Sequence, residues 1–426
     1  MATLSDSRAV APSPTTGFAA YLFTHAAWFL AFGVQMVLFP YLVRVVLHEN
    51  AIRFGLAQMC LQLPTTLMIL IGGFVADRAD GRPIMVIGFA MASVTFMGLA
   101  LLVADGRLTY GLLIGYALAI GVIGAFVTPA RDALLSHVSP DPDNIQHAVA
   151  GASLAQFGGQ ILGMIAAILA PLVGVTALLF GQAGVMTAAV VAALRMRPRP
   201  AEHRPPREGH PLRFLAGQIA GGFRVVAASP VIGPVMLLST GMGVCFMGAF
   251  SVLLPLIVQS YFPTRTDGGA NTAIASALGV FTLCFWVGSM LSAMALMRLG
   301  APRRRGVAYL AALASGAAIL ILCAIPMPFW LLCLLNLAWG LGGGVAMTLG
   351  RGFVQAYAPP EARARVLSIF TLGNMGGAPL GAVAYGVLAQ LIGPRLSILI
   401  PGFGMLTIVA IVTIRSRLRH IGREGS

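Results

Sequence analysis

The sequence predicts an all-α membrane protein of twelve transmembrane helices arranged as two parallel six-helix repeats. Three observations predict it. The 426 residues are 58% hydrophobic and only 9% charged, with a mean hydropathy of +0.89, which is more apolar surface than a soluble core can hide. Charged and Pro/Gly-containing breaks cut the chain into apolar runs near the roughly 20 residues that a helix needs to cross hydrocarbon. The second half of the chain also repeats landmarks of the first at a nearly constant offset.

The runs lie near 18 to 45, 52 to 76, 84 to 103, 108 to 130, 146 to 170, 174 to 194, 231 to 258, 272 to 297, 307 to 325, 329 to 350, 366 to 391 and 396 to 414. Residues 1–17, rich in Ser, Thr, Pro and Ala, read as a disordered cytoplasmic tail rather than a signal peptide. The bundles span 18–194 and 231–414, and 415–426 is a basic cytoplasmic tail. Between the bundles, 195–230 is an Arg/Pro-rich linker, and its later part, from Leu212 to Ser229, has the pattern of an interfacial helix.

The repeat rests on three nearby offsets. An offset of 220 carries Gly124, Thr128, Arg131 and Pro140 onto Gly344, Thr348, Arg351 and Pro360. An offset of 215 carries Gly33 and Pro40 onto Gly248 and Pro255. An offset of 218 carries Gly158, Gly159, Leu162 and Gly163 onto Gly376, Gly377, Leu380 and Gly381. Parallel repeats of this kind are related by an axis along the membrane normal.

The net charge of +14 is topological rather than a nucleic-acid footprint. Every basic residue is Arg, and the arginines fall in short clusters between apolar runs instead of along one folded face. With the N-terminus inside, most of them lie in cytoplasmic loops, while the outer loops keep Arg44, Arg53, Arg107, Arg265 and Arg395. The inside-positive bias thus puts both termini in the cytoplasm. The five cysteines sit within apolar runs without metal-ligand spacing and read as small buried residues. Neither a GxxxxGK[ST] phosphate loop nor an HExxH motif is present. Enzymatic and ATP-driven chemistry are therefore disfavoured, and no cofactor or metal is implied.

Gly72 to Pro83, GGFVADRADGRP, concentrates glycines, carboxylates and arginines between two spans. Its charges belong at the water interface, since a charge at the bilayer centre costs roughly 2.5 to 3.5 kcal/mol on insertion scales. With its helix-packing Gly before Asp-Arg and a later Gly-Arg, the stretch resembles the loop motif of the major facilitator superfamily of secondary transporters. Asp80 lengthens the spacing by one residue, and Pro83 replaces a second basic residue. Thr128 to Pro140, TPARDALLSHVSP, and Ala378 to Gly393, APLGAVAYGVLAQLIG, resemble the branch of transmembrane secretion effectors, which includes siderophore exporters and macrolide efflux pumps.

The resemblance implies a monomeric inner-membrane exporter of a small amphipathic molecule, coupled to protons and working by alternating access. An importer of a neutral nutrient and a non-transporting membrane receptor are the alternatives. It also implies that Gly73, Asp77, Arg78 and Arg82 form a conformational switch. Arg131 and Arg351 have two readings: snorkelling to headgroups, or pairing with acids such as Asp132 to hold a cytoplasmic gate. The superfamily's cavity-lining spans place His25, Trp28, Gln35, Tyr116, Phe126, Gln156, Gln160, Ser251, Asn336, Trp339 and Asn374 as cavity candidates. A buried amide in a membrane helix also serves simply to bond a neighbouring helix. His25 is either a hydrogen-bonded packing residue or a proton relay, because its charge change falls near neutral pH. Span five lacks the Gly-Pro pair of superfamily antiporters: its run is FGGQILGMIAAILAP.

We expect Asp77→Asn to abolish transport while leaving membrane insertion intact. Wild-type flux through a correctly inserted variant, measured in vesicles, would remove the loop from the mechanism.

Overall fold

The computed structural model describes residues 14–76, 80–139, 145–196, 224–262, 268–300, 302–359 and 362–421. Asp77, Arg78, most of the linker and the ends of both tails lie outside these residues, as does most of the expected interfacial helix, of which 224–228 is helical.

Twelve long helices follow in order. They are α1 (Pro14–Tyr41, prolonged by a π turn at Leu42–Val46), α2 (Ala51–Ala76), α3 (Gly81–Ala104), α4 (Tyr110–Val138), α5 (Ile145–Ile168) and α6 (Val175–Arg195). The second six are α7 (Ile232–Gln259), α8 (Gly268–Leu299), α9 (Arg305–Leu322), α10 (Phe329–Tyr357), α11 (Arg363–Ile392) and α12 (Leu399–Arg415). Among the described residues, eleven segments satisfy both the length and the hydropathy expected of a membrane crossing. The remaining helix, α2, is 26 residues long and runs between two of them. Val94, Leu154, Leu380 and Ile414 are 68–79% exposed, an apolar surface suited to lipid.

The sequence boundaries agree closely except at two equivalent places. Helices α4 and α10 run to Val138 and Tyr357, seven to eight residues past the predicted ends at 130 and 350. The charged residues there do not terminate the helices. Arg131 stays inside the helical register and is buried, so a local rise in polarity overstates how early α4 ends.

The packing is duplicated. Helix α1 packs on α5, α2 on α4, α3 on α6 and α4; in the second half α7 packs on α11, α8 on α10, α9 on α12 and α10. The glycines of the sequence repeat line two of these seams. A Cβ on Gly33, Gly159 or Gly163 would collide with the backbone of Gln160, Ala26 or Leu30 across the α1–α5 contact. Gly248, Gly377 and Gly381 occupy the same positions between α7 and α11, against Gly381, Val244 and Gly248. Small residues matter here because lipid supplies no hydrophobic drive to join helices, so close van der Waals contact must do so.

Helix α7 is irregular at this seam, with π turns at Met242–Met247 and Ala249–Leu253. The repeat-matched prolines Pro40 and Pro255 each adjoin a π turn. Proline has no N–H to give to the carbonyl one turn earlier, and a widened turn re-registers the ladder around it.

Gly159→Ala is expected to lower stability by about 1–3 kcal/mol, the usual cost of overfilling a packed contact. Gly158→Ala is the control, because a Cβ there meets nothing within 4 Å. Thermal unfolding in detergent checks the pair; equal melting temperatures would contradict the seam.

Candidate transport pathway

With twelve crossings, both described ends of the chain lie on one face of the bundle. At the opposite face the two halves are tied together. Arg44 Nε donates to Gln259 Oε1 at 3.0 Å, joining the ends of α1 and α7, and the Ala51 N–H donates to Gln390 Oε1 at 3.2 Å. Deeper in, Gln58 Nε2 donates to the Ser251 carbonyl at 3.0 Å and Ser276 Oγ to the Ile168 carbonyl at 2.6 Å. Thr66 Oγ1 reaches the Met375 carbonyl at 3.4 Å. Helices α2 and α11 approach so closely that a Cβ on Gly55 would strike the Ala382 carbonyl, and one on Gly386 the Ala51 carbonyl. A depression of about 600 Å³, lined by Arg44, Asn50, Gln259, Ser260 and Gln390 among others, sits over this closed seam.

Arg44 and Gln259 are separated by 215 residues, the offset that superimposes α1 on α7. Two residues related by the internal repeat can touch only where they straddle its axis. Their contact therefore marks the axis at the mouth of the path between the halves. Sequence reading missed this pair, although the offset that identifies it was already in hand.

At the face carrying the termini, the described gate candidates bond within their own half. Arg82 Nε donates to the Ala193 carbonyl at 3.2 Å, and its Nη2 donates to that of Leu194. Arg82 thus caps the last turn of α6, where a cation meets the negative end of the helix dipole. Arg131 Nε and Nη2 both point to Asp132 Oδ1, at 3.4 and 3.3 Å. Arg351 is exposed and has no ion pair among the described residues. Gly73 lies in the last turn of α2, whose neighbour Gly72 packs on the Ala125 carbonyl of α4.

The cavity candidates divide by environment. Tyr116 is buried between Phe39 and Phe96, with ring centroids 6.4 and 6.0 Å away. Trp339 is buried among Phe246, Phe250 and Phe285 at 5.3–5.9 Å. Asn336 uses Nδ2 to bond the Phe281 carbonyl at 2.6 Å, tying α10 to α8. These three serve the interiors of their bundles. Trp28 packs on Phe89 at 6.0 Å and remains partly accessible, as do Phe126, Gln156, Ser251 and Asn374. Ser251 Oγ donates to the Gly248 carbonyl at 3.1 Å. Gln35 and Gln160 are buried in α1 and α5; Gln160 Nε2 lies 3.6 Å from the Met36 sulfur.

One group comes together that sequence spacing did not connect. Along one face of α1, Phe18, Tyr21, His25, Phe29 and Phe32 form an aromatic ladder with centroids 5.2–6.4 Å apart. The Arg131 guanidinium lies over Phe29 at 4.9 Å, and the Tyr21 hydroxyl donates to the Arg131 carbonyl at 3.3 Å. His25, Arg131, Asp132 and Gln156 thus gather where α1, α4 and α5 meet. The ladder is readable from its i, i+3, i+4 spacing alone. That Arg131 closes over it is not.

The architecture is that of a major facilitator transporter. Residues 34–425 match the transmembrane secretion effector family, and the chain belongs to it. It is accordingly a multi-pass membrane transporter of small molecules and not an enzyme. The enterobactin exporter EntS of Escherichia coli is 27% identical over 361 residues, covering 83% of this chain and 80% of the relative. The protein of the same name from Shigella dysenteriae matches to the same extent. Among solved structures, the nucleoside transporter NupG superimposes with a TM-score of 0.71 at 14% identity, over 95% of this chain and 99% of that one. A POT family transporter in complex with 5-aminolevulinic acid gives 0.73 at 12%, over 94% and 96%. At such identities these two establish the fold alone.

Cysteines introduced as R44C and Q259C are expected to join through a short bis-maleimide in membranes. Proteolysis within the linker followed by electrophoresis reads the join as two halves that stay together. Halves that separate would contradict the closed axis contact.

Proposed function

We propose that this protein is a secondary exporter of a small amphipathic molecule, working by alternating access as a monomer in a bacterial inner membrane with both termini in the cytoplasm. The observation that carries the reading is the asymmetry of the two faces. Backbone-level contacts seal the halves at the face remote from the termini, whereas Arg82 and Arg131 at the other face bond inside their own half. With the termini cytoplasmic, as the arginine distribution favours, this is an inward-open state ready to load cargo from inside. Exchange with an outward-open state needs contacts that form in one state and break in the other. The Arg44–Gln259 bond is suited to break on outer opening, and the loop carrying Asp77 and Arg78 is suited to form the matching inner contacts.

Export as the direction is supported by likeness to the enterobactin exporter. Proton coupling fits the absence of an ATP-binding motif and the presence of His25 and Asp132 near the inner face. The partly accessible candidates, Trp28, Phe126, Gln156, Ser251 and Asn374, suit an amphipathic cargo held by apolar contact and a few hydrogen bonds.

Proteoliposomes with an imposed pH gradient test the reading. Extrusion of amphipathic compounds driven by the gradient, and lost when it is collapsed, is the expected result. Uptake driven in the opposite sense, or flux indifferent to the gradient, would overturn export or coupling respectively.

A further inference from the structure

We propose that the depression over the closed seam is a binding site for a soluble monocarboxylate with a small apolar body, and that a carboxylate seated there clamps the two halves shut at the face remote from the termini. The site stands on its own geometry; the clamp rests on the alternating-access reading.

The three amide side chains that line the depression are all turned the same way. Asn50 Oδ1 accepts the Arg53 N–H at 2.9 Å, Gln259 Oε1 accepts Arg44 Nε at 3.0 Å and Gln390 Oε1 accepts the Ala51 N–H at 3.2 Å. A main-chain or guanidinium N–H meets only the oxygen end of an amide, so these bonds fix the orientation of each. All three oxygens are thereby spent inside the protein. The three NH2 groups are left with no acceptor among the described residues, and so is Arg44 Nη2, since Nη1 goes to the Glu49 carbonyl. Four donor groups on one concave surface call for a ligand rich in acceptors, and a carboxylate offers two oxygens with several lone pairs. Ser260 adds lone pairs of its own, because its proton is held by the Ile257 carbonyl at 2.6 Å.

Charge and room narrow the ligand further. The partners of Arg44 are uncharged, and among the described residues no acidic side chain lines the depression. The neighbouring Glu49 carboxylate is already paired with Arg53 at 2.9 Å. One uncompensated cation matches a monoanion. The volume of about 600 Å³ is that of a small-molecule site, and Leu256, Phe262 and Pro394 give it an apolar wall. Water fills such a space when it is empty; a carboxylate replaces several of those waters with charge-assisted bonds. The site straddles the repeat axis marked by Arg44 and Gln259, away from the lipid-facing perimeter, which gives it to a soluble anion rather than a lipid headgroup.

The donors come from both halves: Arg44 and Asn50 from the first, Gln259 and Gln390 from the second. Opening the outer seam would divide the set. A ligand that needs all of it binds the closed arrangement better, and that difference in affinity is what shifts an equilibrium.

The test is calorimetric titration of the full-length protein in phosphatidylcholine nanodiscs with phenylacetate and with its neutral counterpart, phenylacetamide. Phenylacetate is expected to bind, and phenylacetamide to bind at least about tenfold more weakly. N50D and Q390E keep the oxygen that accepts the Arg53 or Ala51 N–H and replace the free donor with a charged oxygen. Each should weaken phenylacetate about tenfold or more, as should R44Q. Failure of phenylacetate to bind the wild type, equal binding of phenylacetamide, or undiminished binding by both N50D and Q390E would each overturn the site; these two near-isosteric variants decide it if R44Q does not fold. Loss of phenylacetate binding when phosphatidylglycerol is added to the discs would assign the donors to a headgroup and overturn a soluble occupant. The clamp is read from Q58C, buried beneath the depression, by labelling with an impermeant maleimide in right-side-out vesicles, counted above the wild-type background. Phenylacetate should slow that labelling severalfold, and binding with an unchanged labelling rate would overturn the clamp. The two readings fail separately: no labelling with or without phenylacetate removes alternating access, while titration still decides the site.

Discussion

The structure depends on backbone-to-backbone contact between helices in a solvent that does not push them together. In water, burying apolar surface would suffice; in hydrocarbon a leucine gains little by leaving lipid for protein. Gly33, Gly159 and Gly163 on one side and Gly248, Gly377 and Gly381 on the other remove the side chains that would hold α1 from α5 and α7 from α11. Those two seams stiffen each six-helix bundle into a unit. Stiff halves of this kind suit the proposed alternating access, in which each bundle would move as a whole.

Contacts between the halves have a different character. The α2–α11 approach at Gly55 and Gly386 is close, but the bonds that accompany it, Arg44 to Gln259 and Ala51 to Gln390, are single hydrogen bonds near a water-accessible face. Bonds of that kind contribute about 0.5–1.5 kcal/mol net each. They accompany the close α2–α11 packing rather than replace it.

Polar chemistry inside the first bundle is sparse and concentrated. Most hydroxyls are spent on carbonyls of their own helix, as with Thr24, Thr95 and Thr187. The bundle's buried basic side chains among the described residues are His25, beside Gln156, and Arg131, paired with Asp132. They lie toward the face where the described gate residues leave the halves untied.

Much of this was legible in the amino-acid sequence. The number of crossings follows from apolar run length, since hydrocarbon thickness permits few alternatives, and the duplication follows from glycine and proline landmarks that recur because both halves solve the same packing problem. Family membership was legible in the loop motif and in the end of α4, both of which lie within the matched range. What only the tertiary structure decided was side-chain facing. A transmembrane helix is apolar on all sides, so periodicity does not separate a lipid-facing position from one facing a neighbour. Asn336, Trp339 and Tyr116 therefore look like Gln156 and Trp28 in sequence, yet the first three face inward within their bundles. The meeting of Arg131 with His25 and of Arg44 with Gln259 likewise waited on the fold, because contacts between residues over a hundred positions apart are set by how helices pack and leave no local trace in the chain.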